Sequence, residues 1–369
     1  MSGIHIDRQA RLFLAVLGVT GWPRMHERSP AQARRDLRLL ADVTSGRQPV
    51  ARVREAIGRD DDRAVPVRVY SPLRAPGTRP LLVYFHGGGF VVGDLDTVDG
   101  VCRSLANMAG AVVVSVDYRR APEHPVPAAQ QDALAAAKWA LRHARQLGAD
   151  PARVAVGGDS VGGTLAAVVA QQIRGDGPNP IALQVLIYPA TDFTFAAADR
   201  DPALARLPTW ETVEWFASQS MRDADRRDPL ISPAFMEDLS DLPPALVLTA
   251  AVDSFASDGR RYAERLRDAG VDVQIAEFKG QLHGFLTMDR VFPAAWRAQW
   301  LVARTVAGMQ PVSIPAPPAS VEPIEWTSRG TLAARTADQL WARHPARLGA
   351  QWAATLAQSH LQKTWRRAA

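Results

Sequence analysis

A serine lies in a glycine-rich turn where its hydroxyl could act as a nucleophile. Residues 158–163 read Gly-Asp-Ser-Val-Gly-Gly, directly after the apolar segment 153–157 and directly before an alanine-rich segment. A G-x-S-x-G turn between a strand and a helix forces the serine into strained backbone angles and exposes its hydroxyl. The N-terminus of the following helix favours developing negative charge. The pattern predicts that Ser160 is an acyl-transfer nucleophile, although plain glycine-rich turns also contain it.

A second glycine-rich segment could stabilise the oxyanion of such a reaction. Residues 86–90 read His-Gly-Gly-Gly-Phe and follow the apolar segment 81–85. Consecutive glycines let the backbone approach a substrate closely and leave N–H groups free to donate to an oxyanion. We therefore predict that the backbone amides of Gly88, Gly89 and Val161 form an oxyanion hole. The alternative is a flexible loop.

A serine nucleophile also needs a base, and an acid that orients the base. His283 is the only histidine between Ser160 and residue 344, so it is the predicted base. Asp253 closely follows an apolar segment that is predicted to be a strand, which places its carboxylate at the carboxyl end of that strand. It is the predicted acid. Asp258 is the alternative acid, but its position favours the first turn of the next helix, where a carboxylate stabilises the helix by interacting with its dipole.

The elements that must position these residues alternate regularly along the chain. Apolar runs predict eight strands, and the segments between them have helical patterns; this alternation is typical of a mostly parallel α/β sheet with helices on both faces. The predicted strands are 52–57, 65–70, 81–86, 112–117, 153–157, 183–188, 245–250 and 273–278, and the predicted helices lie near 98–109, 127–147, 161–174, 209–219, 257–269 and 293–308.

Four other segments lie outside this alternation. Residues 1–50 are predicted to form lid helices, one of them beginning at Ser29-Pro30, a favourable cap and first helical position. Within the catalytic domain, 51–310, residues 190–232 are too long for an ordinary connection and are predicted to be a lid insertion. Residues 311–325 are predicted to be a proline-rich linker, and 326–369 a basic, tryptophan-bearing helical tail.

The composition limits the partners and the compartment. The 369 residues have a formal net charge of +5, but only three of the 43 basic residues are lysine, so a coding bias towards arginine explains the charge better than nucleic-acid binding. A single cysteine, Cys102, excludes an intrachain disulfide and a cysteine-based metal site. No apolar run near the start is long enough to span a membrane. We expect a cytoplasmic protein without metal or organic cofactor.

Five motifs together resemble the bacterial hormone-sensitive-lipase family of α/β-hydrolases. They are His86–Phe90, the segment Asp-Tyr-Arg-Arg-Ala-Pro-Glu at 117–123, Gly158–Gly163, Tyr188-Pro189 and His283-Gly284-Phe285. The resemblance implies an eight-stranded α/β-hydrolase fold with a helical lid. It also implies a serine carboxylesterase acting on short- to medium-chain acyl esters, with Ser160, Asp253 and His283 as the catalytic triad.

The sequence departs from the family pattern in two places. Val161 stands where the family usually has alanine, which leaves the N–H available but adds bulk near the acyl pocket. The family usually has Pro-Leu after the triad acid and then an acidic pair before a glycine, whereas residues 254–259 read Ser-Phe-Ala-Ser-Asp-Gly. This second departure concerns the turn that holds Asp253.

Several alternatives remain open from the sequence. An amidase or deacetylase would use the same triad, and related receptors without enzymatic activity have lost the base histidine that this chain retains as His283. For the tail, the favoured interpretation is packing against the catalytic domain or another subunit, as in a homodimer. The alternative is adsorption of this basic segment to an apolar or anionic surface.

Overall fold

The computed structural model describes residues 5–74, 77–174, 179–196, 201–309 and the backbone of 326–329. This part of the chain forms eight α-helices and nine β-strands. The helices are α1 (Arg8–Val19), α2 (Pro30–Thr44), α3 (Asp99–Ala109), α4 (Ala128–His143), α5 (Val161–Gln172), α6 (Trp210–Ser220), α7 (Ala256–Asp268) and α8 (Pro293–Gly308). The strands are β1 (Arg52–Asp60), β2 (Arg63–Ser71), β3 (Leu81–Phe85), β4 (Val112–Val116), β5 (Val154–Asp159), β6 (Leu183–Ile187), β7 (Ala245–Val252), β8 (Val273–Leu282) and β9 (Trp326–Arg329).

The nine strands form one sheet in the order β8-β7-β6-β5-β3-β4-β2-β1-β9. All neighbours from β8 to β4 pair in parallel, whereas β2, β1 and β9 each pair antiparallel to their neighbours. The predicted mostly parallel α/β fold class is confirmed, and all eight predicted strands are present.

Helices cover both faces of the sheet because its central strands are largely apolar, and β3 has an apolar side chain at every position. On β3, Leu81, Val83 and Phe85 belong to one buried cluster, which also contains side chains of α4, α5 and α7. Leu82 and Tyr84 belong to a second cluster, with side chains of α1, α3 and α8. Since successive strand residues point to opposite faces, a continuous apolar run requires two helical layers.

The N-terminal helices lie where the sequence predicted helical structure. The predicted start of α2 is confirmed, because Ser29 caps the helix in a reciprocal pair with Gln32 and Pro30 occupies the first helical position. A single 3₁₀ turn, Met25–Glu27, separates α1 from α2.

The predicted helical tail requires a correction at its start. Trp326–Arg329 is not helical but forms β9, which pairs antiparallel with β1 at Arg54, Glu55 and Ala56. An edge strand presents unpaired N–H and C=O groups that a further strand can satisfy, and this pairing outweighs local helical preference. The predicted linker at 311–325 and the remaining tail at 330–369 lie outside the described residues.

Candidate active site

The register between the last two parallel strands brings Asp253 and His283 together. Val252 lies opposite Leu282 after an irregularity in the β7–β8 pairing. The residues that follow them, Asp253 and His283, are therefore also adjacent. Asp253 Oδ2 lies 2.7 Å from His283 Nδ1, and His283 Nε2 lies 2.8 Å from Ser160 Oγ. With its proton on Nδ1, the imidazole donates to the carboxylate and accepts from the serine hydroxyl. The three predicted triad side chains therefore form one continuous hydrogen-bonded chain.

The turn at Ser160 has the strained geometry that its sequence pattern predicts. Ser160 has φ 56° and ψ −123°, in the region that non-glycine residues rarely occupy, and α5 begins at the next residue. A side chain at Gly162 would overlap the carbonyl oxygen of Phe85, so close packing against β3 requires glycine there. Such backbone strain costs about 1–3 kcal/mol and persists where surrounding structure enforces it.

Asp258, the alternative acid, has a different position and different partners. It lies in the first turn of α7, where its carboxylate accepts hydrogen bonds from the backbone N–H groups of Thr191 and Asp192 and from the Thr191 hydroxyl. Burial raises the pKa of Asp258 to about 6, against these hydrogen bonds. Asp258 thus anchors the segment after β6, and Asp253 is the carboxylate that contacts the imidazole.

Residues 254–259, where the sequence departs from the family pattern, keep Asp253 in place. The N–H of Phe255 donates to Asp253 Oδ1 at 2.9 Å, while Oδ2 is left for His283. Asp253 is 2% exposed. The residues that differ from the family pattern therefore still supply a backbone donor that orients the carboxylate.

The predicted oxyanion-hole amides meet because β3 and β5 are neighbours. Phe85 lies opposite Gly158 in the parallel register, so both glycine-rich segments leave the sheet at the same edge. Gly88 has φ 121° and Gly89 has φ 60°, and a side chain at Gly88 would overlap the carbonyl of Val92. Within the described residues, the amides of Gly88, Gly89 and Val161 donate to no protein acceptor. They line the same cavity as Ser160 and are available to an oxyanion.

Asp159, beside the nucleophile, has a positioning contact that sequence analysis missed. Its Oδ1 accepts from the Tyr84 hydroxyl at 2.8 Å and from the N–H of Gly87 at 3.1 Å. Burial raises the pKa of this carboxyl. The contact ties the start of the His86–Phe90 segment to the serine turn. A charged residue between an apolar strand and glycines was the signal that could have indicated this role.

A cavity of about 410 Å³ lies over these residues. Its walls are largely apolar and come from three parts of the chain: α1 to α2, residues 190–221, and the loops after β3, β5, β7 and β8. The two predicted lid segments thus contribute Leu14, Leu17, Met25, Leu37, Leu40, Phe193, Phe195, Leu207, Val213, Phe216 and Met221. Aromatic side chains also surround the imidazole, with the Tyr188 and Phe255 ring centroids 4.7 and 5.9 Å from that of His283. The cavity suits an apolar group next to the serine.

Comparison with known proteins identifies the family. Residues 82–287, more than half of the chain, match the model of a family described as having the alpha/beta hydrolase fold. The chain belongs to the α/β-hydrolases. Its similarity to named esterases shows that it belongs to their hormone-sensitive-lipase-like group.

Relatives of this hydrolase cover most of its catalytic part. It is 45% identical to the esterase LipI of Mycobacterium tuberculosis over 238 residues, which are 63% of this chain and 74% of LipI. It is 47% identical to the carboxylic ester hydrolase LipN of the same organism over 235 residues, 61% of each chain. The solved ester-hydrolase EH1AB1, from the metagenome of Lake Arreo, superposes with a TM-score of 0.76 at 35% identity, covering 82% of this chain and 98% of that one.

Two features are absent from the described part of the hydrolase. No group of three or more His, Cys, Asp or Glu side chains in this part is arranged to hold a metal ion. Among the same residues, no helix has both the length and the apolar character needed to cross a bilayer.

Proposed function

We propose that this hydrolase is a serine carboxylesterase that cleaves short- to medium-chain acyl esters through an acyl-enzyme intermediate. One observation carries the proposal: the continuous hydrogen-bonded chain from Asp253 through His283 to Ser160, at the floor of an apolar cavity. Relatives named esterases and carboxylic ester hydrolases support the same chemistry. An apolar cavity of this size supports a preference for modest acyl chains over long-chain triacylglycerol.

The reaction follows from the positions of the three side chains. His283 Nε2 takes the hydroxyl proton of Ser160 as Oγ attacks the ester carbonyl carbon, and Asp253 stabilises the imidazolium that forms. The carbonyl oxygen becomes an oxyanion that accepts hydrogen bonds from the amides of Gly88, Gly89 and Val161. His283 then donates its proton to the alcohol oxygen, and the alcohol leaves.

Deacylation repeats these steps with water. His283 takes a proton from water as the water oxygen attacks the acyl carbon, and the same three amides hold the second oxyanion. Collapse of this intermediate breaks the bond to Ser160 Oγ, which regains its proton from His283. One ester and one water are consumed, and one acid and one alcohol are released.

The decisive experiment removes the nucleophile. We expect Ser160→Ala to fold normally and to lower turnover of p-nitrophenyl acetate and butyrate by on the order of 10⁶-fold, to the background rate. Ser218→Ala is the matched control, because Ser218 is exposed on α6 and lies outside the cavity. If Ser160→Ala kept measurable turnover above background, the assignment of the nucleophile would be wrong.

A substrate series separates the ester proposal from the amidase or deacetylase alternative. Esters with acyl chains from two to twelve carbons, and the corresponding anilides, should be compared on the wild type and on Ser160→Ala. We expect kcat/KM to be highest for the short and medium esters and much lower for anilides. A preference for anilides would favour an amidase instead.

We also propose that the hydrolase works in the cytoplasm. Its single cysteine, Cys102, is a buried free thiol, and burial raises the pKa of this thiol far above its usual range. A chain without disulfides is typical of reducing compartments. Cell fractionation that found the protein outside the cytoplasm would contradict this proposal.

A further inference from the structure

Helix α2 presents two arginines to the segment that follows the oxyanion-hole glycines. Arg34 and Arg38 lie four residues apart on α2, so they share one face of the helix. Arg38 Nε donates to Asp94 Oδ2, and Asp94 is buried at the end of this segment. An N-terminal element that also walls the cavity is therefore bonded directly to the loop after β3.

Arg34 makes the more extensive set of contacts. Its Nε donates to the carbonyl of Val91 at 2.8 Å, and Nη2 donates to the carbonyl of Ala121 at 2.7 Å. Nη1 and Nη2 also bind the two carboxylate oxygens of Glu123 at 2.9 and 2.6 Å. A planar guanidinium has the fixed fork of donors that such bridging needs, which a lysine lacks. Arg34 thus joins its own helix, α2, to two other segments of the chain, one at residue 91 and one at 121–123.

The carbonyl that Arg34 holds belongs to the same turn as the oxyanion-hole glycines. The N–H groups of Val91 and Val92 donate to the carbonyl of Gly88 at 3.0 and 2.9 Å, which closes a tight turn over residues 88–92. Within this turn, a shift of Val91 would be transmitted to the peptide units of Gly88 and Gly89. The position of the amides that they contribute therefore depends on what holds Val91.

The outer side of this turn packs against lid elements rather than against the sheet. Val91 and Val92 form a small buried cluster with Ala33 of α2 and with Ala121, separate from the two main cores. Leu37 of α2 and Phe216 of α6 pack against the same cluster. Turns usually lie on the surface and are mobile unless neighbouring elements hold them. Here α2 supplies the hydrogen bond to the carbonyl of Val91, and the segment after β4 supplies a second one, from the N–H of Ala121 to the carbonyl of Phe90 at 2.8 Å.

We propose that Arg34 is a positioning residue for the oxyanion hole. By holding the turn 88–92 through Val91 and Ala121, it keeps the Gly88 and Gly89 amides where the oxyanion forms. The N-terminal helix α2 thus contributes to transition-state stabilisation as well as walling the cavity. This inference rests on the proposed esterase function, because it concerns the oxyanion of that reaction.

The proposal predicts a specific kinetic pattern. Donors that are misplaced by a fraction of an ångström lose stabilisation of the oxyanion but not of the bound ester. We expect Arg34→Met to lower kcat by about tenfold to a hundredfold with KM changed by less than about threefold. Arg34→Lys should restore little of the lost kcat, because one ammonium group cannot reproduce the fork of donors that the guanidinium provides. Arg35→Met is the matched control, because Arg35 is an exposed neighbour on α2, and it should leave kcat unchanged.

A thionoester distinguishes a role in the oxyanion hole from a general role in folding. Sulfur accepts hydrogen bonds more weakly than oxygen, so hydrolysis of a thionoester depends less on the amides. We expect the kcat loss of Arg34→Met to be several-fold smaller on the thionoester than on the matching ester. Inactivation by an alkyl phosphonate, whose adduct places an oxygen in the same site, should slow in parallel with ester kcat.

Three results would overturn the proposal. They are an unchanged kcat in Arg34→Met, a loss seen only in KM, and an equal loss on ester and thionoester that follows the unfolded fraction. If Arg34→Met does not fold, Glu123→Gln takes its place, since it weakens the hold on the guanidinium while keeping Arg34; it must then show the same ester-selective kcat loss. A wild type inactive on every ester would instead contradict the proposed function, so the two failures are distinguishable.

Discussion

At the scale of single residues, Asp253 and Asp258 have different hydrogen-bond partners although they lie only five positions apart. Asp253 accepts from one backbone N–H and leaves its second oxygen for the imidazole. Both carboxylate oxygens of Asp258 accept hydrogen bonds from Thr191, one from its N–H and one from its hydroxyl. A carboxylate can orient the base only if one of its oxygens faces the imidazole, so the partners of each group indicate its role.

Exchanging each acid for its amide tests this distinction. We expect Asp253→Asn to lower kcat by about 10⁴-fold, because an amide in that position favours the wrong imidazole tautomer. Asp258→Asn should lower kcat by less than about tenfold, since Asp258 does not contact His283. Steady-state rates with p-nitrophenyl butyrate, at matched folded fractions, measure both effects. A larger loss in Asp258→Asn would reverse the assignment of the acid.

At the scale of elements, the first turn of α7 is bonded to the segment that leads from β6 into the cavity wall. Asp258 forms this connection, and it is buried. Burial raises its pKa from an ordinary value near 4 to about 6. Because the folded protein holds this proton more tightly than the unfolded chain, the group stabilises the fold most at low pH. That contribution is lost as the pH rises from about 4 to about 6.

Unfolding at two pH values tests the buried carboxyl. We expect the free energy of unfolding of the wild type, relative to Asp258→Asn, to fall by about 2–3 kcal/mol between pH 4 and pH 7.5. The amide cannot titrate, so it removes this component and leaves the other ionisable groups in place. Urea titrations followed by tryptophan fluorescence give both values. A difference that is the same at both pH values would show that Asp258 does not titrate in this range.

At the scale of the whole molecule, the C-terminal part of the chain extends the sheet. β9 covers the edge of β1, and it follows α8 by only 17 residues. An uncovered edge strand is a template for pairing with another chain. The residues that line the cavity lie between Leu14 and Met288, so β9 lies outside the proposed active site.

Two truncations test the role of β9. We expect a chain that ends at Met309 to keep kcat/KM within about twofold but to self-associate as its concentration rises, because β1 is then an open edge. A chain that ends at Arg329 retains β9, so its mass should not grow in this way as its concentration rises. Light scattering and esterase assays on both chains measure the effects. Equal self-association of the two chains would mean that β9 does not protect this edge.

The same truncations address the tail, whose interpretation stays a prediction. Residues 321–369 carry seven basic and three acidic side chains, so most of the net charge of +5 belongs to this part of the chain. We expect ending the chain at Arg329 to change the oligomer mass and to leave binding to anionic liposomes unchanged. Loss of liposome binding, with unchanged mass, would favour surface adsorption instead.

The sequence by itself determined the features that depend on local chain geometry. The serine turn, the glycine-rich loop and the strand–helix alternation follow from backbone sterics and hydrophobic periodicity within short segments. His283 was indicated because no other histidine lies between Ser160 and residue 344. Even the capped start of α2 could be predicted from Ser29 and Pro30 alone.

Only the tertiary structure decided the features that depend on segments far apart in the chain. The pairing of Val252 with Leu282 brought Asp253 to the imidazole, and the edge of β1 recruited residues predicted to be helical. Arg34 reaches Val91 and Glu123 across 57 and 89 positions of sequence. Such contacts depend on strand register and helix docking, which arise from the packing of the whole core and leave no periodic pattern near the residues concerned.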